Sequence, residues 1–328
     1  MRDKIYILDS LRGIIALLVA VYHFLHAENH HGRLIPEGNP AIEAIDPFLI
    51  GSVSVFFLIS AYVIFLHLEN HTYSIIKFGT FIFKRLVRIQ IPVIICIGLI
   101  VLVNEGFNSY LNLESTFSWD QFLANISLSA SFLGEEWYNP IFWTLAIEFQ
   151  FYIFVGLVFT LINRSPIPSL IILGVAFIPL NYCFDTLSYA CYYGGYFIIG
   201  TALYLFHQKR LSLLSLLIIT AIAATDVLLT HEFLYPIIPL LSIPIILFVQ
   251  KRSRLFEWLG EVSFSFYLMH GMFGGWLIYF TARYADNGFL QFLIILAALV
   301  VSYIGSYAFY RIIEKPVLHF SRKITYKK

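Results

Sequence analysis

Long apolar runs follow one another from Gly13 to Tyr310, and few folds accommodate such a succession. A hydrocarbon core of ~30 Å is crossed by a helix of about twenty residues rising ~1.5 Å each. Backbone N–H and C=O groups find no water there, so each run must satisfy its own by becoming helical. About ten runs qualify, near residues 13–30, 47–68, 85–103, 141–163, 167–183, 187–206, 211–230, 233–249, 260–280 and 289–310. The expected fold is all-α: a polytopic transmembrane helical bundle in which short connections pack each helix beside the next. Pro179, Pro236, Pro239 and Pro244 predict kinks in or beside two of these helices. No polar block is large enough to build its own core, so residues 1–328 read as a single membrane domain with no additional soluble domain.

Charge supplies the orientation. Only 12% of residues are charged, against about 25% in a soluble domain, and 21 Lys+Arg face 20 Asp+Glu. That near-neutral balance excludes a basic nucleic-acid binder and an acidic disordered tail. With the N-terminus inside and sides alternating, the inner side collects Arg2, Lys4, Arg12, Lys77, Lys84, Arg85, Arg88, Arg164, Lys209, Arg210, Lys251, Arg252, Arg254, Arg311, Lys315, Arg322, Lys323, Lys327 and Lys328. Only Arg33 and Arg283 fall outside, a bias that predicts an N-in/C-in topology. Nine acids from Glu28 to Glu136 crowd the first two outer loops. The first run is not a cleavable signal, because Leu25-His26-Ala27-Glu28 leads into polar sequence without a small-residue cleavage pattern. Cys96, Cys183 and Cys191 stand apart in apolar stretches without C-x-x-C spacing, which predicts structural thiols and no metal site.

Ionisable groups inside spans are costly and mark function by default. Three lie deep: His23, Glu148 and His270. Arg12 and His23, eleven residues apart, project from nearly one helix face about 16 Å apart along the axis. Glu148 sits one to two turns from the outer end of the fourth span, at a depth comparable with His23. A carboxylate on one imidazole nitrogen would leave the other free as a general base. Plainer roles exist for each: His23 as a satisfied interhelical histidine, Glu148 as half of a buried ion pair. Ser263, Tyr267 and His270 share a face as polar glue or a pocket wall. Arg85 and Arg88, three apart at the start of the third span, are either membrane anchors or a clamp for an anionic group such as phosphate.

Taken together these segments resemble the acyltransferase 3 family of ten-span membrane O-acyltransferases. The resemblance rests on Leu8-Asp9-Ser10-Leu11-Arg12-Gly13 with His23, Phe56-Phe57-Leu58-Ile59-Ser60, and Arg85-Leu86-Val87-Arg88-Ile89-Gln90-Ile91-Pro92. It continues through Trp143-Thr144-Leu145 with Glu148 and Phe151-Tyr152, Ser263-Phe264 with Tyr267-Leu268 and His270, and Glu314-Lys315-Pro316. Ala61 stands where a Gly is usual, Thr144 where Ser is commoner and Phe264 where Tyr is frequent; none removes a candidate reacting group.

The resemblance implies transfer of an acyl group, typically acetyl from acetyl-CoA, to a hydroxyl of a carbohydrate or glycolipid acceptor. It further implies a multi-pass protein of the plasma or inner membrane, with acyl-CoA as co-substrate and no tightly bound cofactor. His23 is the expected base, with Glu148 orienting it. Arg12, Arg85 and Arg88 are expected to hold the CoA head group, Tyr267 and His270 to line its path. The alternatives are a transporter of a glycan or anionic substrate, with Arg12, His23 and Glu148 along its path, and a non-catalytic subunit of a glycan-export complex. The aromatics between Phe107 and Trp143 form either an interfacial belt or a sugar-stacking surface.

Overall fold

The computed structural model describes residues 6–29, 32–183, 188–231, 234–249, 252–285 and 287–326. Of the residues in the charge argument, Arg2, Lys4, Lys251, Lys327 and Lys328 lie outside that set. The chain is helical almost throughout. In order come α1 (Tyr6–Leu25), α2 (Pro40–Asn70), α3 (Phe78–Tyr110), the short α4 (Trp119–Ile126) and α5 (Ala130–Leu133), and α6 (Phe142–Arg164). Then follow α7 (Pro166–Cys183), α8 (Gly194–His207), α9 (Leu213–Thr230), α10 (Ile237–Phe248), α11 (Arg254–His270), α12 (Trp276–Thr281), α13 (Gly288–Phe309) and α14 (Lys315–Lys323). The extended pieces are β1 (Glu28–Asn29) and β2 (Gly32–Arg33), a two-rung antiparallel ladder.

Among the described residues, six helical stretches are long and apolar enough to cross a membrane: Tyr6–Leu25, Pro40–Asn70, Ile75–Tyr110, Phe142–Arg164, Leu213–Thr230 and Gly288–Lys323. The chain is thus a polytopic helical bundle. The four remaining expected spans correspond to α7, α8, α10 and the α11–α12 pair, each shorter or interrupted. The α8 segment shows why length misleads. Every residue from Gly194 to Leu205 is buried, so this helix is enclosed by protein on all sides rather than presented to lipid. At its start Gly194 and Gly195 lie against Phe177 and the Ala223 carbonyl, where a Cβ would stand 2.3 and 2.6 Å from its nearest neighbours.

Two features set the geometry of the interior. First, α1 packs along α11, and the crossing is backbone on backbone: a Cβ on Gly260 would stand 1.9 Å from the Asp9 carbonyl oxygen. Only glycine permits that approach, and it brings the Arg12 turn of α1 beside the Ser263 turn of α11. Second, the helix after His270 widens into a π-helical turn, Gly271–Gly275, before α12. Ser302 of α13 donates to the His270 carbonyl at 3.2 Å there. A second π-helical turn, Tyr310–Glu314, joins α13 to α14.

Candidate functional site

Two cavities within the bundle share a wall. The first is lined by Arg12 from α1, Ser60 from α2, Arg85 and Arg88 from α3, Glu148 and Tyr152 from α6, and Ser263 from α11. Three guanidinium groups from two helices therefore converge on one space. Arg85 is 5% exposed, its guanidinium lies 5.6 Å from the ring centres of both Phe81 and Tyr152, and its Nε has no hydrogen-bond partner among the described residues. A buried cation with an unmet donor at a cavity is suited to an anionic ligand. Around this arginine cavity Lys84 donates to the Ile324 carbonyl at 2.8 Å, and Tyr326 bonds His67 Nε2 at 3.0 Å. Burial raises the Tyr326 phenol above its ordinary range while nearby Arg85 lowers it, and the net rise keeps its proton in place to donate.

The second cavity is lined by Tyr22 and His23 from α1, Ser54 from α2, Trp143 and Thr144 from α6, and Tyr192, Tyr193, His231 and Tyr235 beyond them. Neither ring nitrogen of His23 has a hydrogen-bond partner among the described residues, so the imidazole is free to meet a ligand in this aromatic cavity. Its ring neighbours are Tyr22 and His270, both with centroids 5.4 Å away. His270 is buried, and its Nδ1 donates to the carbonyls of Tyr267 (2.8 Å) and Phe266 (3.1 Å) on its own helix.

Thr144 and Tyr267 line both cavities and form the wall between them. Thr144 donates to the Ile141 carbonyl at 2.9 Å, so the 2.7 Å bond to Tyr267 takes its proton from the phenol.

The expected residues are distributed between these spaces. Arg12, Arg85, Arg88 and Tyr267 meet in the arginine cavity, and Tyr267 also faces the aromatic one. His270 stands behind His23 rather than in the arginine cavity. Glu148 differs from its expected position. It does not touch His23; its Oε1 accepts from Ser60 at 2.5 Å and from the Tyr152 hydroxyl, on the arginine side of the wall. The reason is helix rotation: depth along a span is readable from sequence, but the face on which a side chain leaves is set by packing. Of the aromatics between Phe107 and Trp143, Trp143 lines the aromatic cavity, while Phe117, Trp119 and Phe122 cluster with one another.

Three residues escaped the sequence reading. Glu314 is buried, accepts from Ser265 N (3.2 Å) and Oγ (2.5 Å), and lies in electrostatic range of Arg88 and Arg12. Its signal was the Glu314-Lys315-Pro316 motif, to which no role had been given. Ser60 likewise lay inside a quoted motif, whereas nothing in the sequence marked His231. Cys96 is a buried free thiol and Cys191 a half-buried one; the Cys183 side chain is outside the described set.

Neither a curated protein sequence nor a solved structure matches the chain. The family model described as an acyltransferase domain, that of the acyltransferase 3 family, matches residues 5–311, a stretch that contains every residue of both cavities named above. The chain therefore belongs to the acyltransferase 3 family and is a multi-pass membrane acyltransferase.

Proposed function

We propose that this enzyme moves an acyl group, acetyl in the first instance, from cytoplasmic acyl-CoA to a hydroxyl of a surface carbohydrate or glycolipid in the plasma or inner membrane. One observation carries the reading: a cavity with three arginines is separated by a single pair of hydroxyls from a cavity that presents an unengaged imidazole. Arg12, Arg85 and Arg88 would hold the phosphates of the CoA head group through charge-assisted hydrogen bonds. The pantetheine arm would run along α1 toward the wall, since Arg12 and His23 are offset by about 16 Å on that helix.

At the wall, His23 takes the proton of the acceptor hydroxyl as its oxygen attacks the thioester carbonyl. The C–S bond breaks as the new C–O bond is completed, and the proton passes from His23 to the departing thiolate, leaving an ester and free CoA. Glu148 does not act through His23 in this scheme. As an acceptor for Ser60 and Tyr152 beside Arg85, it orders the donor cavity. Membership of an acyltransferase family supports this reading over transport of a glycan or anion.

The test is His23→Ala in cells and in purified protein. Mass spectrometry of surface glycans should show the acyl groups lost while the protein stays in the membrane. Turnover of acetyl-CoA in nanodiscs should drop by ~10²–10⁴-fold with little change in acetyl-CoA affinity. Retention of more than about a tenth of wild-type turnover would remove His23 from the role of base.

A further inference from the structure

The aromatic cavity contains a second histidine, His231, which the scheme above does not use. It follows directly on α9, and its surroundings fix its tautomer. Thr230 Oγ1 gives its single proton to the Asp226 carbonyl at 2.8 Å. The 2.8 Å bond between Thr230 Oγ1 and His231 Nδ1 must then take its proton from the imidazole. The other nitrogen, Nε2, is left as a bare acceptor, and it is buried without a hydrogen-bond partner among the described residues. This backing is rigid: Asp226 is buried and accepts from Asn181 Nδ2 at 2.8 Å and from Gly195 N at 3.2 Å, while the Tyr192 hydroxyl donates to the Thr230 carbonyl at 2.6 Å. An acceptor held in place, desolvated and unmet is a costly feature unless a ligand supplies the donor.

The rest of the lining says what sort of donor fits. Among the described residues no Lys, Arg, Asp or Glu lines this cavity, in contrast to the arginine cavity across the wall. Flat surfaces flank His231: the Tyr192 ring centre is 4.5 Å away, the Tyr193 ring 5.6 Å, and Trp143 stands a further 5.6 Å from Tyr193 at an interplanar angle of 31°. Aromatic planes with hydroxyl and imidazole tips suit a ring that is apolar on its faces and hydroxylated at its rim. A carboxylate on that ring would lose its water without meeting a cation.

We propose that His231 is an acceptor-binding residue: its Nε2 accepts a hydrogen bond from one hydroxyl of an uncharged sugar ring, and this holds a second hydroxyl toward His23. The inference rests on the transfer reading and adds to it a group that selects for charge and for hydroxyl position. A site built around such an unmet acceptor rejects rings that lack the matching hydroxyl.

The test uses the full-length protein in nanodiscs and neutral methyl glycosides of glucose and galactose, with methyl glucuronide as the charged probe. Saturation-transfer difference NMR measures their binding, and acetyl-CoA affinity is measured on the same samples. At least one neutral glycoside should bind saturably, with the glucuronide at least ten-fold weaker. His231→Leu should weaken the neutral glycoside about ten-fold and His231→Gln much less, since its side-chain oxygen can still accept. Thr230→Val lies outside the cavity lining but frees the tautomer of His231, and should weaken the same ligand several-fold. Acetyl-CoA affinity should be unchanged in all three variants, which also shows that they fold. The proposal is overturned if no neutral glycoside binds, if the glucuronide binds as tightly, or if His231→Leu matches wild type. Wild-type protein without affinity for acetyl-CoA would instead count against the transfer reading, whatever the glycosides do.

Discussion

Glu148 and His23 illustrate how residue identity and residue role come apart. Both were visible in the sequence, because an ionisable group in an apolar helix must have a partner or a purpose. Their partners were not visible: the structure gives Glu148 to Ser60 and Tyr152 and leaves the His23 nitrogens unengaged. A definite prediction follows for Glu148→Gln. The amide keeps the shape but removes a negative charge from the neighbourhood of Arg85 and can no longer accept at both oxygens. Acyl-CoA KM should change several-fold, while the limb of the pH–rate profile that reports His23 should stay in place. A displaced limb would mean that the carboxylate is coupled to the imidazole after all. The same distinction applies to Glu314 and His231, whose importance lies in what packs against them. Glu314 sat in a recognisable motif, but His231 is one histidine among 10, and only the Thr230 contact gives it a direction.

At the scale of elements, the helices were legible because apolar runs oblige the chain to be helical, and their ends were less so. The first helix is already formed at Tyr6, ahead of the expected Gly13, and continues through Asp9, Ser10 and Arg12. Polar residues there do not end the span, since Ser10 is buried and Arg12 faces a cavity instead of lipid. The π-helical turn after His270 had only its glycines as a signal, and the α1–α11 crossing at Gly13 and Gly260 only two small residues far apart in sequence. The contact of α6 with α11 has a function that can be measured. Tyr267 donates across it to Thr144, closing the wall between the cavities. Tyr267→Phe removes that bond while Thr144 keeps its bond to Ile141, so the cost in stability should be only about 1 kcal/mol. The wall itself should loosen. Acceptor-independent hydrolysis of acyl-CoA should therefore rise several-fold relative to transfer, because water from the aromatic side reaches the thioester. An unchanged ratio of hydrolysis to transfer would show that the wall is sealed by packing alone.

For the molecule as a whole, the placement of two chemically different cavities end to end makes a statement about sides of the membrane. The arginine cavity lies at the end where Lys77, Lys84 and α14 gather positive charge, the side on which such residues are retained in membrane proteins. The aromatic cavity lies toward the other end of α1, where His23 stands in the last turn. Sequence composition revealed the bundle and its charge bias, but two separate cavities depend on how each helix is rotated about its axis, which no periodicity in these nearly all-apolar segments records. If donor and acceptor enter from opposite faces, Arg85→Ala and Arg88→Ala should weaken acyl-CoA use and leave acceptor affinity alone. Each loses a charge-assisted contact of roughly 1.5–3 kcal/mol, or about ten- to a hundred-fold in affinity. In sealed vesicles of known orientation, acyl-CoA supplied only at the arginine face should support acylation of an acceptor supplied only at the aromatic face. Reversing the vesicles while keeping the same additions should abolish the reaction, since neither cavity then meets its substrate. Should transfer require both substrates on the arginine face, the aromatic cavity would not be the acceptor's entrance, and modification would precede export of the glycan.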